Sequence, residues 1–151
     1  MTGLPSLPTT LDEQLCFALY STSLAMTKAY KPLLGRLSLA CPQYLTMLVL
    51  WETDDIAVKG IAARLNLDSA TVTPPLKRLE SLGYLERVRG TRRRARGCHT
   101  RLTAEGIALR KATRSVPADL YCAMQQTPEF LGQLRENLRQ LREFLKEHNE
   151  E

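Results

Sequence analysis

Four cysteines, Cys16, Cys41, Cys98 and Cys122, are the side chains of this sequence best equipped for covalent chemistry. They are scattered, without a Cys-x-x-Cys pair or a tight cluster. Thiols spaced this way are mostly small buried hydrophobes and, less often, a single reactive thiol. Cys98 and His99 are adjacent, and neighbours on a strand point to opposite faces, so they make no metal pair. His148 lies in the C-terminal tail. No metal and no cofactor is implied. Tyr20 follows Cys16 by four residues and shares its helical face. Tyr30 projects near the same face, but fourteen residues of straight helix put it about 21 Å away. It reaches Cys16 only across an antiparallel pair of first helices in a dimer. A core thiol with both tyrosines packed at an interface satisfies the same spacing, and the residues alone leave both readings open.

A second kind of chemistry is written in charge. Residues 87–101 hold seven arginines and no acidic residue, and Arg92, Arg93, Arg94 and Arg96 form their centre. Arginine suits phosphates and a narrow, negative minor groove. Just upstream, Ser69, Ala70, Thr71, Thr73, Lys77 and Arg78 fall on the open face of a short helix. Small hydroxyl side chains approach base edges in the major groove, and Lys77 and Arg78 suit phosphates. Double-stranded DNA is the partner that fits. A solvated hairpin tip is the plainer alternative, and its place behind a helix-turn-helix argues against it.

The elements that position these groups follow from periodicity and punctuation. Residues 1–10 read as a flexible arm rich in Pro, Gly and Thr. Thr9 or Thr10 caps a helix with Asp12 and Glu13 in its first turn, and Leu15, Leu19, Thr22, Met26 and Tyr30 repeat at helical spacing. Cys16 then lies beyond the first turn, where the helix dipole alone does little for a thiolate. Pro32 and Gly35 loosen the end of this helix, and Pro42 opens a second, largely apolar and central one. Val58, Ile61, Ala62 and Leu65 make a short amphipathic helix; Asn66, Leu67 and Asp68 turn the chain; Ser69 caps a helix that buries Val72, Leu76 and Leu79. Pro74 and Pro75 fall inside that helix, so a kink or a late start is expected. Alternating residues 84–89 and 98–102 form a β-hairpin around the arginine loop. Thr103 with Gly106 starts a helix reaching Cys122, and Pro128 opens a last one with a stripe of Leu131, Leu134, Leu138, Leu141 and Leu145. The architecture expected is mainly α with a small β-hairpin, a winged helix-turn-helix. It forms a single domain over 11–151, with a DNA-binding lobe at 42–103 between dimerisation helices at 11–40 and 104–148. The leucine stripe, with charges between its leucines, favours a homodimer.

Composition sets the outer limits. With 151 residues the chain buries its own core without disulfide or metal staples. Hydrophobic residues at 44% and charged residues at 25% exclude disorder, collagen and a disulfide-dense mini-fold. Lys and Arg number 21 against 16 Asp and Glu, a net charge of +5 whose placement matters more than its size. The longest apolar run, residues 44–51, is broken by Thr46 and falls far short of a bilayer span. Residues 1–10 lack the basic and apolar regions of a secretory signal. The expected setting is the cytoplasm of a bacterium-like cell, with no membrane contact.

Longer stretches resemble one family. Leu15-Cys16-Phe17-Ala18-Leu19-Tyr20-Ser21, Ala29-Tyr30-Lys31-Pro32-Leu33-Leu34, Pro42-Gln43-Tyr44-Leu45 and Met47-Leu48-Val49-Leu50-Trp51-Glu52 are similar to the OhrR group of the MarR family. So are Leu67-Asp68-Ser69-Ala70-Thr71-Val72-Thr73-Pro74 and Leu76-Lys77-Arg78-Leu79-Glu80. The resemblance spans about residues 12–122. It implies a MarR-like dimeric repressor, not an enzyme, that leaves a pseudo-palindromic operator when organic hydroperoxide oxidises Cys16. It also implies that Tyr30 hydrogen-bonds the sensing cysteine of the other subunit, and that Cys122 matches the resolving cysteine of two-cysteine members.

Two positions depart from the pattern. Cys41 stands where the group commonly has a second tyrosine of the sensing pocket, and Arg94-Ala95-Arg96 stands where the wing usually carries Asp-x-Arg. The first removes a hydroxyl donor or adds a thiol; the second removes an acidic partner and suggests tighter, less discriminating phosphate binding. Two other readings remain beside the redox regulator. One is a MarR-type repressor released by a non-oxidant ligand; the other is a thiol peroxidase, to which a basic hairpin is useless.

Overall fold

The computed structural model describes residues 7–89 and 98–150, and the chain divides into two compact units, 1–116 and 117–151. In the first unit a single 3-10 turn, Leu11–Glu13, precedes helix α1 (Leu15–Gly35). The Glu13 carboxylate accepts the backbone N–H groups of Thr9 and Thr10 at 3.2 and 3.3 Å. Gln14 then leaves the helical path at ψ 124°, and its side-chain amide donates to the Pro8 carbonyl at 2.8 Å. The helix expected to run on from Thr10 therefore begins afresh at Leu15. Cys16 stands inside its first turn rather than beyond it.

Helix α2 (Cys41–Glu52) has Pro42 in its first turn and buries Tyr44, Thr46, Met47, Val49 and Leu50, the central role its composition predicts. Helix α3 (Val58–Leu65) ends at Asn66, which takes φ 56° in the left-handed region and redirects the chain. Helix α4 (Ser69–Ser81) buries Val72, Leu76 and Leu79. Its N-cap is Asp68, not Ser69, because the Asp68 side chain accepts the Thr71 N–H at 2.7 Å. Pro74 and Pro75 sit within α4 without ending it. With Ile61 and Ala62 these side chains form one core around α2.

Three short antiparallel strands complete the winged helix: β1 (Ile56–Ala57), β2 (Leu85–Arg89) and β3 (Cys98–Leu102), in the order β1-β3-β2. Two residues are too few for any alternation, which is why β1 escapes sequence reading. Asp54 continues its pairing by accepting the Leu102 N–H at 2.9 Å. Helix α5 (Ala104–Ala112) is capped by Thr103, whose hydroxyl accepts the Gly106 N–H at 3.1 Å and donates to the Gly83 carbonyl at 2.6 Å. Trp51 locks α2 to α5 through Nε1–H to the Gly106 carbonyl at 2.9 Å.

The helix expected from Thr103 to Cys122 is broken. Pro117 has no N–H to give to the Thr113 carbonyl, which takes the Val116 N–H instead at 3.0 Å. Helix α6 (Val116–Met124) starts there, at the boundary of the second unit. Helix α7 (Pro128–Glu150) is capped by Thr127, whose hydroxyl accepts the Phe130 N–H at 3.1 Å. Its side chains are exposed or half-buried, and Leu134, Leu138, Phe144 and Leu145 remain open. Arg139 grips Glu136 with two hydrogen bonds of 2.6 and 3.0 Å. That contact, with Gln140 adding, holds the Glu136 carboxyl down to about 2.

Candidate functional site

One surface is built by α4. Ser69, Ala70, Thr71, Lys77 and Arg78 are exposed on it, and Thr73 is half-buried. The Thr71 hydroxyl donates to Asp68 at 2.7 Å, and the Thr73 hydroxyl donates to the Ser69 carbonyl at 2.7 Å. Both donors are therefore used within the protein, and what these hydroxyls turn outward is acceptor capacity. Among the described residues neither Lys77 nor Arg78 carries an ion pair, whereas Arg64 is held by Glu52 at 2.6 Å. Free cations beside short hydroxyls suit a polyanion with readable edges.

The hairpin is tied to this helix by a residue that sequence reasoning missed. The Glu80 carboxylate accepts the Arg87 backbone N–H at 3.1 Å, fixing where β2 leaves the core. Glu86 pairs with Arg101 across the strands at 3.1 Å. Arg89 is exposed at the outer end of β2, opposite Cys98. Arg92, Arg93, Arg94 and Arg96 lie outside the described residues. Asp68 was also missed as a functional residue; its signal is the Asp-x-x-Thr spacing, in which a short carboxylate reaches the third N–H of the helix.

The thiols occupy separate environments. Cys16 is exposed in the first turn of α1. Tyr20, one turn on, is 67% exposed. Tyr30 is half-buried against Tyr44, with ring centres 5.8 Å apart, and Tyr44 packs in turn on Trp51 at 6.5 Å. Burial pushes the Tyr30 phenol up, with Cys41 and Tyr44 adding to it, and burial also raises the Cys41 thiol. Tyr30, Cys41 and Tyr44 thus form one cluster. Along α1, by helical rise, Cys16 lies about 21 Å and Tyr20 about 15 Å from Tyr30. Cys41 borders an open groove of about 470 Å³ together with Thr27, Lys28, Lys31, Ser38 and Leu39. Cys122 is exposed on α6, in the second unit. Among the described residues no cluster of His, Cys, Asp and Glu is suited to hold a metal ion.

This architecture has known counterparts. The MarR family pattern matches residues 39–93. The organic hydroperoxide resistance transcriptional regulator of Bacillus subtilis (strain 168) is 41% identical over 139 residues, covering 92% of this chain and 94% of its own. The structure of reduced AbfR bound to DNA shares 29% identity at a TM-score of 0.75, covering 91% of this chain and 93% of that one. A structure of disulfide-formed AbfR shares 29% identity at a TM-score of 0.61, covering 93% of each chain; AbfR comes from Staphylococcus epidermidis. Identity of 41% sustained over 92% of the sequence leaves one assignment: the chain belongs to the MarR family.

Proposed function

We propose that this protein is a homodimeric, DNA-binding transcriptional repressor that releases its operator when an organic hydroperoxide oxidises Cys16. The observation that carries the reading is the Cys16 thiol, exposed in the first turn of α1 with the Tyr20 phenol one turn away. Support comes from the Bacillus relative, named for organic hydroperoxide resistance, and from AbfR, known in reduced, DNA-bound and disulfide-formed states. Lobe 42–103 holds DNA through α4 and the arginine hairpin. Residues 11–40 and 104–148 form the dimer, whose seam would cover Leu15, Leu19 and Leu24 of α1 and Leu134, Leu138 and Leu145 of α7, which are open in the single chain.

The chemistry has two steps. The Cys16 thiolate attacks the outer peroxide oxygen; the O–O bond breaks, Cys16 becomes a sulfenic acid, and the departing alkoxide takes up the proton the thiol had given away and leaves as the alcohol. The Cys122 thiol then displaces hydroxide from that sulfur, forming a disulfide and releasing water. Closure needs Cα atoms roughly 4.4–6.8 Å apart. Half-sites one turn apart require recognition helices about 34–36 Å apart, and a modest rotation at the dimer seam spoils that spacing. Tyr30 of the second subunit serves as the phenol donor to Cys16, with Cys41 at the edge of the same pocket. The reaction is a single event per thiol, a switch and not a catalytic cycle. No helix among the described residues is long and apolar enough to cross a membrane, and we place the protein in the cytoplasm.

A gel shift decides the reading. Wild-type protein should leave its DNA after cumene hydroperoxide and return after dithiothreitol, while Cys16→Ser stays bound throughout. Release of Cys16→Ser by the hydroperoxide would overturn the proposal. The groove beside Lys28 and Lys31 favours a second reading, release by a small anionic ligand without oxidation. It gains if Cys16→Ser leaves DNA when a phenolic carboxylate is added.

A further inference from the structure

The two prolines of α4 leave a main-chain acceptor open near the start of the helix. A helical carbonyl is satisfied by the N–H four residues on or, in a tighter turn, three residues on. For Thr71 those positions are Pro75 and Pro74, and neither has an N–H to give. The Pro75 ring stands where that hydrogen would be and crowds the Thr71 carbonyl away from the helix axis. The helix continues to Ser81 all the same, because Val72, Leu76 and Leu79 anchor its other face in the core. Thr71 is its third residue and is exposed, as are Ser69 and Ala70 beside it. Both donors of Thr71 are committed to Asp68, the backbone N–H and the hydroxyl each at 2.7 Å. The hydroxyl bond runs to a carboxylate, which makes it one of the stronger kind and hard to displace. Thr71 therefore offers two acceptors, its Oγ and its orphan carbonyl, and no donor.

We propose that Thr71 is a specificity-determining residue that reads an exocyclic amino group in the major groove, the N4 amino group of cytosine or the N6 amino group of adenine. The inference rests on α4 being the helix that reads DNA, as proposed above. In the major groove cytosine and adenine turn an N–H outward, whereas guanine presents N7 and O6 and thymine presents O4, all of them acceptors. Docking on the duplex strips water from the Thr71 carbonyl. An amino group replaces that water; a guanine or thymine sets acceptor against acceptor and leaves both unpaired. Discrimination comes as much from the cost of the wrong base as from the bond to the right one. A helix without prolines here would satisfy the carbonyl internally and lose the signal. The residues that deprive α4 of two of its own hydrogen bonds thereby give its first turn a base-reading group.

The test starts from a duplex selected out of a random pool by reduced full-length protein, with affinity read by fluorescence anisotropy. N4-methylcytosine and N6-methyladenine keep their Watson–Crick bond but carry a methyl group in place of the outward hydrogen. Placed in turn at each cytosine and adenine of a half-site, one of them should weaken wild type roughly fivefold at one position, and the arm that responds identifies the base. Pro75→Ala returns the missing N–H to the Thr71 carbonyl. Its thermal midpoint should equal or exceed that of wild type, yet its preference at that position should shrink to within about twofold. Pro74→Ala, which serves the Ala70 carbonyl instead, should keep the preference. Specificity lost from a helix no less stable is a result that a merely structural role for Pro75 does not give. Undiminished preference in Pro75→Ala would overturn the proposal, as would equal loss in both proline variants or indifference to both methylated bases. Lys77→Ala separates this inference from the reading beneath it. If Lys77→Ala binds every duplex more weakly, α4 lies on DNA and failure of the proline test sinks the inference alone; unchanged binding would overturn both.

Discussion

The Asp68 carboxylate accepts two hydrogen bonds from Thr71, one from its backbone N–H and one from its hydroxyl, each at 2.7 Å. One side chain therefore satisfies an orphan donor at the start of α4 and sets the rotamer of a residue on the proposed base-reading face. Stability and recognition share a single contact.

Replacing that carboxylate tests both roles. Asp68→Ala should lower the thermal midpoint by roughly 2–4 °C and weaken DNA binding, while Asp68→Asn, which also caps, should retain most of both. The Thr71 hydrogen bonds hold the Asp68 carboxyl below its ordinary 3.8. A carboxyl whose pKa falls on folding contributes stability above its unfolded value and loses it as the pH drops through the folded one. The contribution of Asp68 is therefore present above about pH 3.8 and fades below it. Thermal midpoints measured against pH should show a shallower acid limb in Asp68→Ala.

Removing the second thiol should separate sensing from protection. Cys122→Ser is expected to leave DNA on hydroperoxide treatment as wild type does, but dithiothreitol should restore less than roughly a tenth of its binding after prolonged exposure. Without a partner thiol the sulfenic acid at Cys16 proceeds to sulfinic acid. Mass spectrometry of the Cys16 peptide checks this directly, and full recovery by dithiothreitol would exclude Cys122 as the protecting thiol.

The two free cations of α4 carry a salt-dependent prediction. Lys77→Ala and Arg78→Ala should each reduce the slope of log affinity against log salt by about 1, and weaken binding alike on different duplexes. A loss confined to one sequence would instead mark a base contact.

Gly106 is constrained by its neighbours. A Cβ there would overlap the Tyr84 carbonyl oxygen, so Gly106→Ala must push α5 away from the start of β2. The expected cost is roughly 1–3 kcal/mol in urea unfolding. Trp51, the single tryptophan, donates to the Gly106 carbonyl, so its fluorescence should shift in the folded variant.

Apolar periodicity made α2, α3 and α4 legible, because spacings of three and four residues report a buried face before the fold is known. Val72, Leu76 and Leu79 are buried as that spacing requires. The turn at Asn66 and the cap at Thr103 were legible for a similar reason, since their chemistry is satisfied by nearby backbone. The start of α1 was not. Thr10, Asp12 and Glu13 read as the opening of one helix, yet Glu13 folds back onto Thr9 and Thr10, and Gln14 turns to Pro8. Competing local hydrogen bonds of similar strength decide such a boundary, and a spacing rule does not rank them.

The sequence by itself determined the helices α2, α3 and α4, where the cationic segment falls, and which thiols and phenols are present to react. The tertiary structure decided which of them meet: Tyr30 with Tyr44 beside Cys41, Trp51 with Gly106, and β1 with β3 across more than forty residues. The reason is physical. Helical faces are set by repeats of a few residues, whereas a contact between distant segments exists only once core burial has offset the entropy of bringing them together.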